Sequence, residues 1–207
     1  MSENQLIAFS DGVIAIIITI MVLDLHVPDN PNLKSYLNAW PIFAGYALSF
    51  LIIGNFWVSH HNIFRNVSQV SNKTLWINLF CLFWLSFIPF TTSAMGKNAM
   101  TEVAVTVYAI NIMVTSLCYF FLSRHLLALH IKDAETIKTF SKSFRKTYLT
   151  ITLYICAILI SLSGWPVAAF VIMVVSALSW LIPVILSLQM KTILQHSLYF
   201  QVVQIKP

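Results

Sequence analysis

Charge is what this sequence has least of. Of its 207 residues only 9% are Asp, Glu, Lys or Arg, while 58% are hydrophobic. A soluble domain carries roughly a quarter charged residues. A water-facing surface cannot be built from this chain, and the solvent that suits it is lipid. Basic residues outnumber acidic ones, 12 to 7. They fall in short stretches between apolar runs rather than in one patch, which argues for orientation in a membrane and against nucleic-acid binding. Cysteine is scarce too. Cys81, Cys118 and Cys156 each stand inside an apolar run with no CxxC pair. Neither a zinc site nor a disulfide framework is supported, and all three read as small buried residues. HExxH, GxSxG and the P-loop are missing, so no enzyme class, resident cofactor or metal is indicated. A signal peptide's basic start is missing as well: Glu3 stands in its place, and no small-residue cleavage site follows. The first apolar run is expected to stay as a helix.

What is present is a series of apolar runs. Crossing the hydrocarbon core takes about 20 apolar residues. The runs are Leu6–Leu25, Ala39–Val58, Leu75–Met95, Val103–Leu122, Tyr148–Ser163 and Val167–Leu188. The sequence thus predicts an all-α polytopic membrane protein, one unit over residues 1–207, with six transmembrane helices. Pro89 and Pro183 fall inside runs, where kinks are expected. Gly164-Trp165-Pro166 predicts a tight hairpin between the last two runs. Arg65, Lys73, Arg124, Lys132, Lys138, Lys142, Arg145, Lys146, Lys191 and Lys206 fall on the side of the N-terminus, and only Lys34 and Lys97 fall opposite. The positive-inside rule then puts both termini in the cytosol. The stretch Ser123–Thr147 mixes charges with Leu126, Leu127, Leu129 and Ile131. It reads either as an amphipathic extension along the inner leaflet or as a solvated loop. Trp40, Trp57, Trp76 and Trp165 sit near run ends as an interfacial belt, and Trp84 and Trp180 lie deeper as packing residues.

The first run carries the most information. Asp11 lies about a turn inside it, and a carboxylate at that depth is costly unless paired or wet. At about 100° per residue, Phe9, Val13, Ile16, Ile20, Leu23 and Val27 form one stripe. Asp11 points well away from the stripe, Ser10 lies off its other flank, Thr19 is on its shoulder, and Asp24 is near the outer end. This geometry allows a two-faced helix, with Ser10 and Asp11 offered to neighbouring helices and the aliphatic stripe to a central axis. It equally allows the stripe simply to pack against other helices or lipid. Asp11 and Asp24 are roughly 20 Å apart along the helix, too far for a catalytic pair. His60 and His61 point to different helix faces, which makes them poor joint metal ligands and favours a structural hydrogen-bonding role.

The segment Phe9-Ser10-Asp11-Gly12-Val13, followed by Ile16, Thr19, Leu23, Asp24 and Leu25, resembles the signature of the bacterial relatives of the endosomal and lysosomal potassium channel. Trp57-Val58-Ser59-His60-His61-Asn62-Ile63-Phe64-Arg65 resembles the family's tryptophan–histidine segment, and Phe87-Ile88-Pro89-Phe90-Thr91-Thr92-Ser93 the end of its third helix. The second half is similar only in hydropathy. The family often carries an arginine shortly before the FSD motif, and Gln5 stands there in this chain. Asp11 must then be satisfied otherwise, with His60, His61 and Arg65 as candidates.

The resemblance implies a homotetrameric cation channel in a bacterial plasma membrane, its one pore lined by the first helix of four copies. Carried over by position, Ile16 forms the main constriction and Ile20 and Leu23 form further rings, with Thr19 and Asp24 as polar groups beside the pore. Trp57, His60, His61 and Arg65 form the supporting polar network. No cofactor is implied beyond the permeant cations themselves, potassium foremost, and the bilayer is the remaining partner. The chain has no Thr-Val-Gly-Tyr-Gly stretch, so backbone oxygens cannot replace potassium's water as in a carbonyl filter, and aliphatic rings gate by size and dewetting. Asp24, four times over, would make the outer mouth negative. The alternative is an ion- or proton-coupled transporter using Asp11, although the chain shows no internal repeat and only Pro89 hints at a broken helix. A membrane protein with no transport role is the third reading.

Overall fold

The structure is a computed structural model. It describes residues 3–25, 32–64, 67, 70–130 and 134–181, with 130 and 134–143 described by backbone alone. Eight helices lie among them: α1 (Glu3–Leu23), α2 (Leu33–Asn38), α3 (Trp40–Phe64), α4 (Asn72–Ser86), α5 (Ile88–Lys97), α6 (Glu102–His130), α7 (Ala134–Leu162) and α8 (Pro166–Ser179). Five stretches are long and apolar enough to cross a membrane: α1, α3, α4 with α5, most of α6, and Phe144–Leu162 within α7. The chain is an all-α, multi-pass membrane protein. α8 rises only about 21 Å, less than the ~30 Å hydrocarbon core. The rest of the sixth run, with Pro183, and the tail that carries Lys191 and Lys206 lie outside the described residues.

Proline punctuates the bundle where the sequence predicts it. Pro89 has no N–H to give Leu85, and its ring crowds that carbonyl. The helix breaks at Phe87, separating α4 from α5. Backbone N–H groups at the Phe87 cap bond to Leu85 O and Trp84 O, and side chains around the break add further bonds. Ser86 Oγ donates to Phe83 O at 2.7 Å, and Thr92 Oγ1 donates to Ile88 O at 2.7 Å. Asn111 of α6 faces the break; in the amide orientation that suits its surroundings, it donates to Trp84 O at 3.1 Å and accepts from Ile88 N at 3.3 Å. The hairpin between α7 and α8 also follows the sequence. Gly164 takes φ 88, a left-handed value that glycine reaches without a Cβ penalty, and Pro166 opens α8 at its first turn.

Two expectations are corrected. Ser123–Thr147 is not a plain loop. α6 and α7 are each 29 residues long, run well into that stretch, and leave only 131–133 between them. Charged residues end an apolar run, but Lys, Arg, Glu, Leu and Ala are good helix formers. At about 43 Å each helix exceeds the hydrocarbon core. Cys156 is exposed, unlike Cys81 and Cys118, because it lies on the outward face of α7. α2 is an element the hydropathy runs do not contain. Asn32 caps it, its side chain accepting from Ser35 N at 2.9 Å.

α6 is the hub. It packs on α4, α5, α7 and α8 and touches α3. Val105, Tyr108, Ala109 and Ile112 on it are 0–1% exposed. α3 and α5 approach closely at Gly96, where a Cβ would come within 3.0 Å of Ile42 Cα. α1 lies at the side of the bundle, against α3, α4 and α5.

Candidate functional site

α1 has two faces. Leu6, Ser10, Ile14, Ile17 and Met21, at spacings of three and four, are buried against the bundle. On the flank about 100° around the helix, Phe9 is 49% exposed, Ile16 60%, Ile20 50% and Leu23 73%. Val13 between them is partly buried, and Val27 lies outside the described residues. An open groove of about 570 Å³ runs beside this face. Val13, Ile16, Ile20 and Asp24 form one wall, and Ser86, Pro89 and Phe90 at the α4–α5 break form the other.

The buried face is fixed by a chain of hydrogen bonds whose direction can be worked out. Ser10 Oγ donates to Leu6 O at 2.9 Å, which uses its only proton. It must therefore accept from Asn78 Nδ2 at 3.0 Å. Asn78 Oδ1 is then the acceptor facing His60, so His60 Nε2, 2.8 Å away, carries a proton. His60 Nδ1 has no hydrogen-bond partner among the described residues. The neutral Nε2–H tautomer leaves a lone pair there rather than a stranded N–H, the cheaper of the two outcomes. Ser10, Asn78 and His60 are all 0% exposed, and together they join α1, α4 and α3. Asn78 is a member that sequence reasoning misses; the only available signal is a carboxamide in the middle of an apolar run.

Asp11 is satisfied by Trp57, whose Nε1 donates to its Oδ1 at 2.9 Å. Of the partners expected from sequence, His60 is bonded to Asn78 instead. His61 is exposed, its ring 6.2 Å from that of Trp57. Arg65 lies outside the described residues. The reason is register: Trp57 and His61 lie one turn apart on the outer side of α3, whereas His60 turns into the core between Phe56 and Phe64. Thr19 Oγ1 donates to Ala15 O of its own helix at 2.8 Å and is exposed. At the far end of α1, Asp24 Oδ1 accepts from Lys97 Nζ at 2.9 Å. No cluster of His, Cys, Asp and Glu able to hold a metal occurs among the described residues.

A second directed chain braces the α4–α5 break. Thr92 gives its proton to Ile88 O, so Ser49 donates to Thr92 at 2.7 Å and Tyr108 donates to Ser49 at 2.8 Å. Each hydroxyl has one proton, which fixes the order.

Residues 5–89 match the family model described as the endosomal/lysosomal potassium channel TMEM175. A protein of Chryseobacterium sp. (strain P1-3) named as a potassium channel is 36% identical over 183 residues, 88% of this chain and 94% of its own. One from Streptomyces collinus, also named as a potassium channel, is 38% identical over 127 residues, 58% of this chain and 62% of its own. Among solved structures, a lysosomal potassium-selective channel TMEM175 homolog from Chamaesiphon minutus superposes with a TM-score of 0.66 at 26% identity. That match covers 84% of this chain and 97% of that one. With a relative this similar along nearly the full length of both chains, the protein belongs to the bacterial branch of the TMEM175 family.

Proposed function

We propose that this protein is a potassium-permeable cation channel in the bacterial plasma membrane, built from four copies around a pore lined by α1. The observation that carries the reading is the uncovered stripe of Ile16, Ile20 and Leu23, which lies about 100° around α1 from the face that Ser10 anchors. Relatives named as potassium channels support the ion and favour a channel over a coupled carrier. One copy of α1 offers only one wall, so a wet path needs several. In this reading each chain is one six-helix domain, the run from α8 onward makes the sixth crossing, and both termini are cytosolic.

The mechanism follows from the side chains. Four Ile16 side chains at one level form a ring with no donor or acceptor. It holds water out when narrow and admits it when wider. Ile20 and Leu23 repeat the barrier toward the outer end, and the Thr19 hydroxyls lie between the rings. Potassium passes more readily than sodium because it gives up its water more easily. Ser10, Asp11 and their partners hold the helix from behind and do not touch the ion.

The test is reconstitution into potassium-loaded liposomes, comparing wild type with Ile16→Asn. The expected result is flux in the wild type that prefers potassium over sodium, with Ile16→Asn raising flux and blurring the preference. Silence of both proteins in verified tetramers would remove the pore assignment.

A further inference from the structure

Asp24 borders the same groove as Ile16 and Ile20, and its carboxylate is met by a cation. Lys97, the last residue of α5, spans from α5 to α1 to reach it at 2.9 Å. The end of α5 is held firmly in place. Gly96 lets it sit against the Ile42 backbone, with only 3.0 Å left for a Cβ. The turn that follows places two successive non-glycine residues in the left-handed region, Ala99 at φ 49 and Met100 at φ 56. Met100 N–H bonds to Met95 O at 3.0 Å, and its side chain is 2% exposed. Such backbone persists only where the surroundings determine it. Lys97 is therefore presented toward α1 by rigid packing rather than by a free loop. The pair itself is open to solvent, with Lys97 55% and Asp24 33% exposed. A pair this wet adds little to folding, but it changes the charge that an approaching ion meets.

We propose that Lys97 is a specificity-determining residue, the counter-charge that sets the electrostatic field at the outer mouth. This rests on the pore reading above. Asp24 alone would give each copy one negative charge and the assembly a ring of them, which concentrates cations at the entrance. With Lys97 in place that negative charge is offset, so the mouth attracts cations more weakly.

Charge arithmetic gives the experiment its resolving power. Lys97→Gln removes one positive charge per copy, Asp24→Asn removes one negative charge, and the double variant keeps the wild-type net charge. Potassium conductance of the reconstituted full chain is measured in planar bilayers at about 0.01 M salt, where the screening length is about 30 Å, and at about 1 M, where it is about 3 Å. Expected at low salt is a rise of about threefold for Lys97→Gln, a comparable fall for Asp24→Asn, and a return to the wild-type value in the double variant. The differences should fade at high salt. If Lys97 were only a staple between α5 and α1, all three variants would lose the same bond and behave alike, and that result overturns the proposal. Lys97→Cys in a Cys156→Ser background guards against misfolding. Attaching an aminoethyl group restores the positive charge in the folded protein and should return conductance to wild type, while a neutral reagent of similar size should not. No change on aminoethylation also overturns the proposal. A wild type that passes no potassium removes the pore reading itself, a different result from conduction indifferent to Lys97.

Discussion

α1 and α6 are both apolar enough to cross a membrane, yet the structure treats them oppositely. Only 28% of the apolar stretch of α1 is buried, against 61% for α6, although α1 is the more apolar of the two. In water the greasier helix would be the inner one. In lipid, apolar surface has no reason to hide, and helices associate through small side chains that pack closely and polar ones that hydrogen-bond. α6 buries the small Ala104 and Ala109, and its buried Tyr108 and Asn111 hydrogen-bond to α3 and to the α4–α5 break. On α1, Ser10 is the one polar residue among the buried positions. The hub of a subunit is thus marked by small and polar residues, while a purely aliphatic face remains for something outside the fold.

The largest effect expected from this contrast is at Tyr108. Its ring is 0% exposed, and its hydroxyl starts the chain through Ser49 and Thr92 to the Pro89 break. Tyr108→Ala should cost about 3 kcal/mol, from lost packing and from a Ser49 hydroxyl left short of a partner. The measurement is reversible unfolding in detergent. A cost below about 0.5 kcal/mol, the size of an ordinary surface change, would mean that α6 is not the hub.

A smaller and more local effect is expected at Asn78. Asn78→Leu keeps the bulk but strands Ser10 and His60, a loss of about 1–3 kcal/mol. The bond it removes joins α1 to α4 and leaves α6–α8 untouched. Amide exchange should speed up along α1 while staying unchanged in α6, α7 and α8. Uniform acceleration would show that α1 is integral to the core after all.

How much of this is legible in the sequence depends on the kind of signal. The break at Pro89 and the hairpin at Gly164-Trp165-Pro166 can be read directly, because proline and glycine act on their own backbone. The two faces of α1 can be read as a spacing, since residues 16, 20 and 23 share a side wherever the helix lies. Which side is covered cannot, because Ile14 and Ile16 are the same residue type and only the neighbouring helices distinguish them. The partner of Asp11 is illegible for a related reason. Trp57, His60 and His61 are all within reach in sequence, and the rotation of α3 about its axis selects Trp57. Lengths are misread where charge interrupts hydropathy without interrupting the helix. Arg145, Lys146 and Thr147 end the apolar run but sit in the middle of α7.

The smallest expected effect is the most informative about the contrast. Ile16 and Ile14 are two residues apart on one helix, one 60% and the other 3% exposed. Truncating Ile14 to alanine leaves a cavity against the bundle and should cost about 2 kcal/mol or more. Truncating Ile16 should change subunit stability by no more than about 0.5 kcal/mol, since few atoms of its own chain surround it. In the proposed tetramer the same Ile16→Ala change should nonetheless raise potassium flux, because a ring of four alanines would be wider and wet more readily. Unfolding and liposome flux measured on both variants separate the two roles. If Ile16→Ala destabilises the subunit as much as Ile14→Ala does, that face is packed within its own fold and α1 has no free side to give a pore. A stable subunit with higher flux leaves the aliphatic stripe accountable for permeation and not for folding.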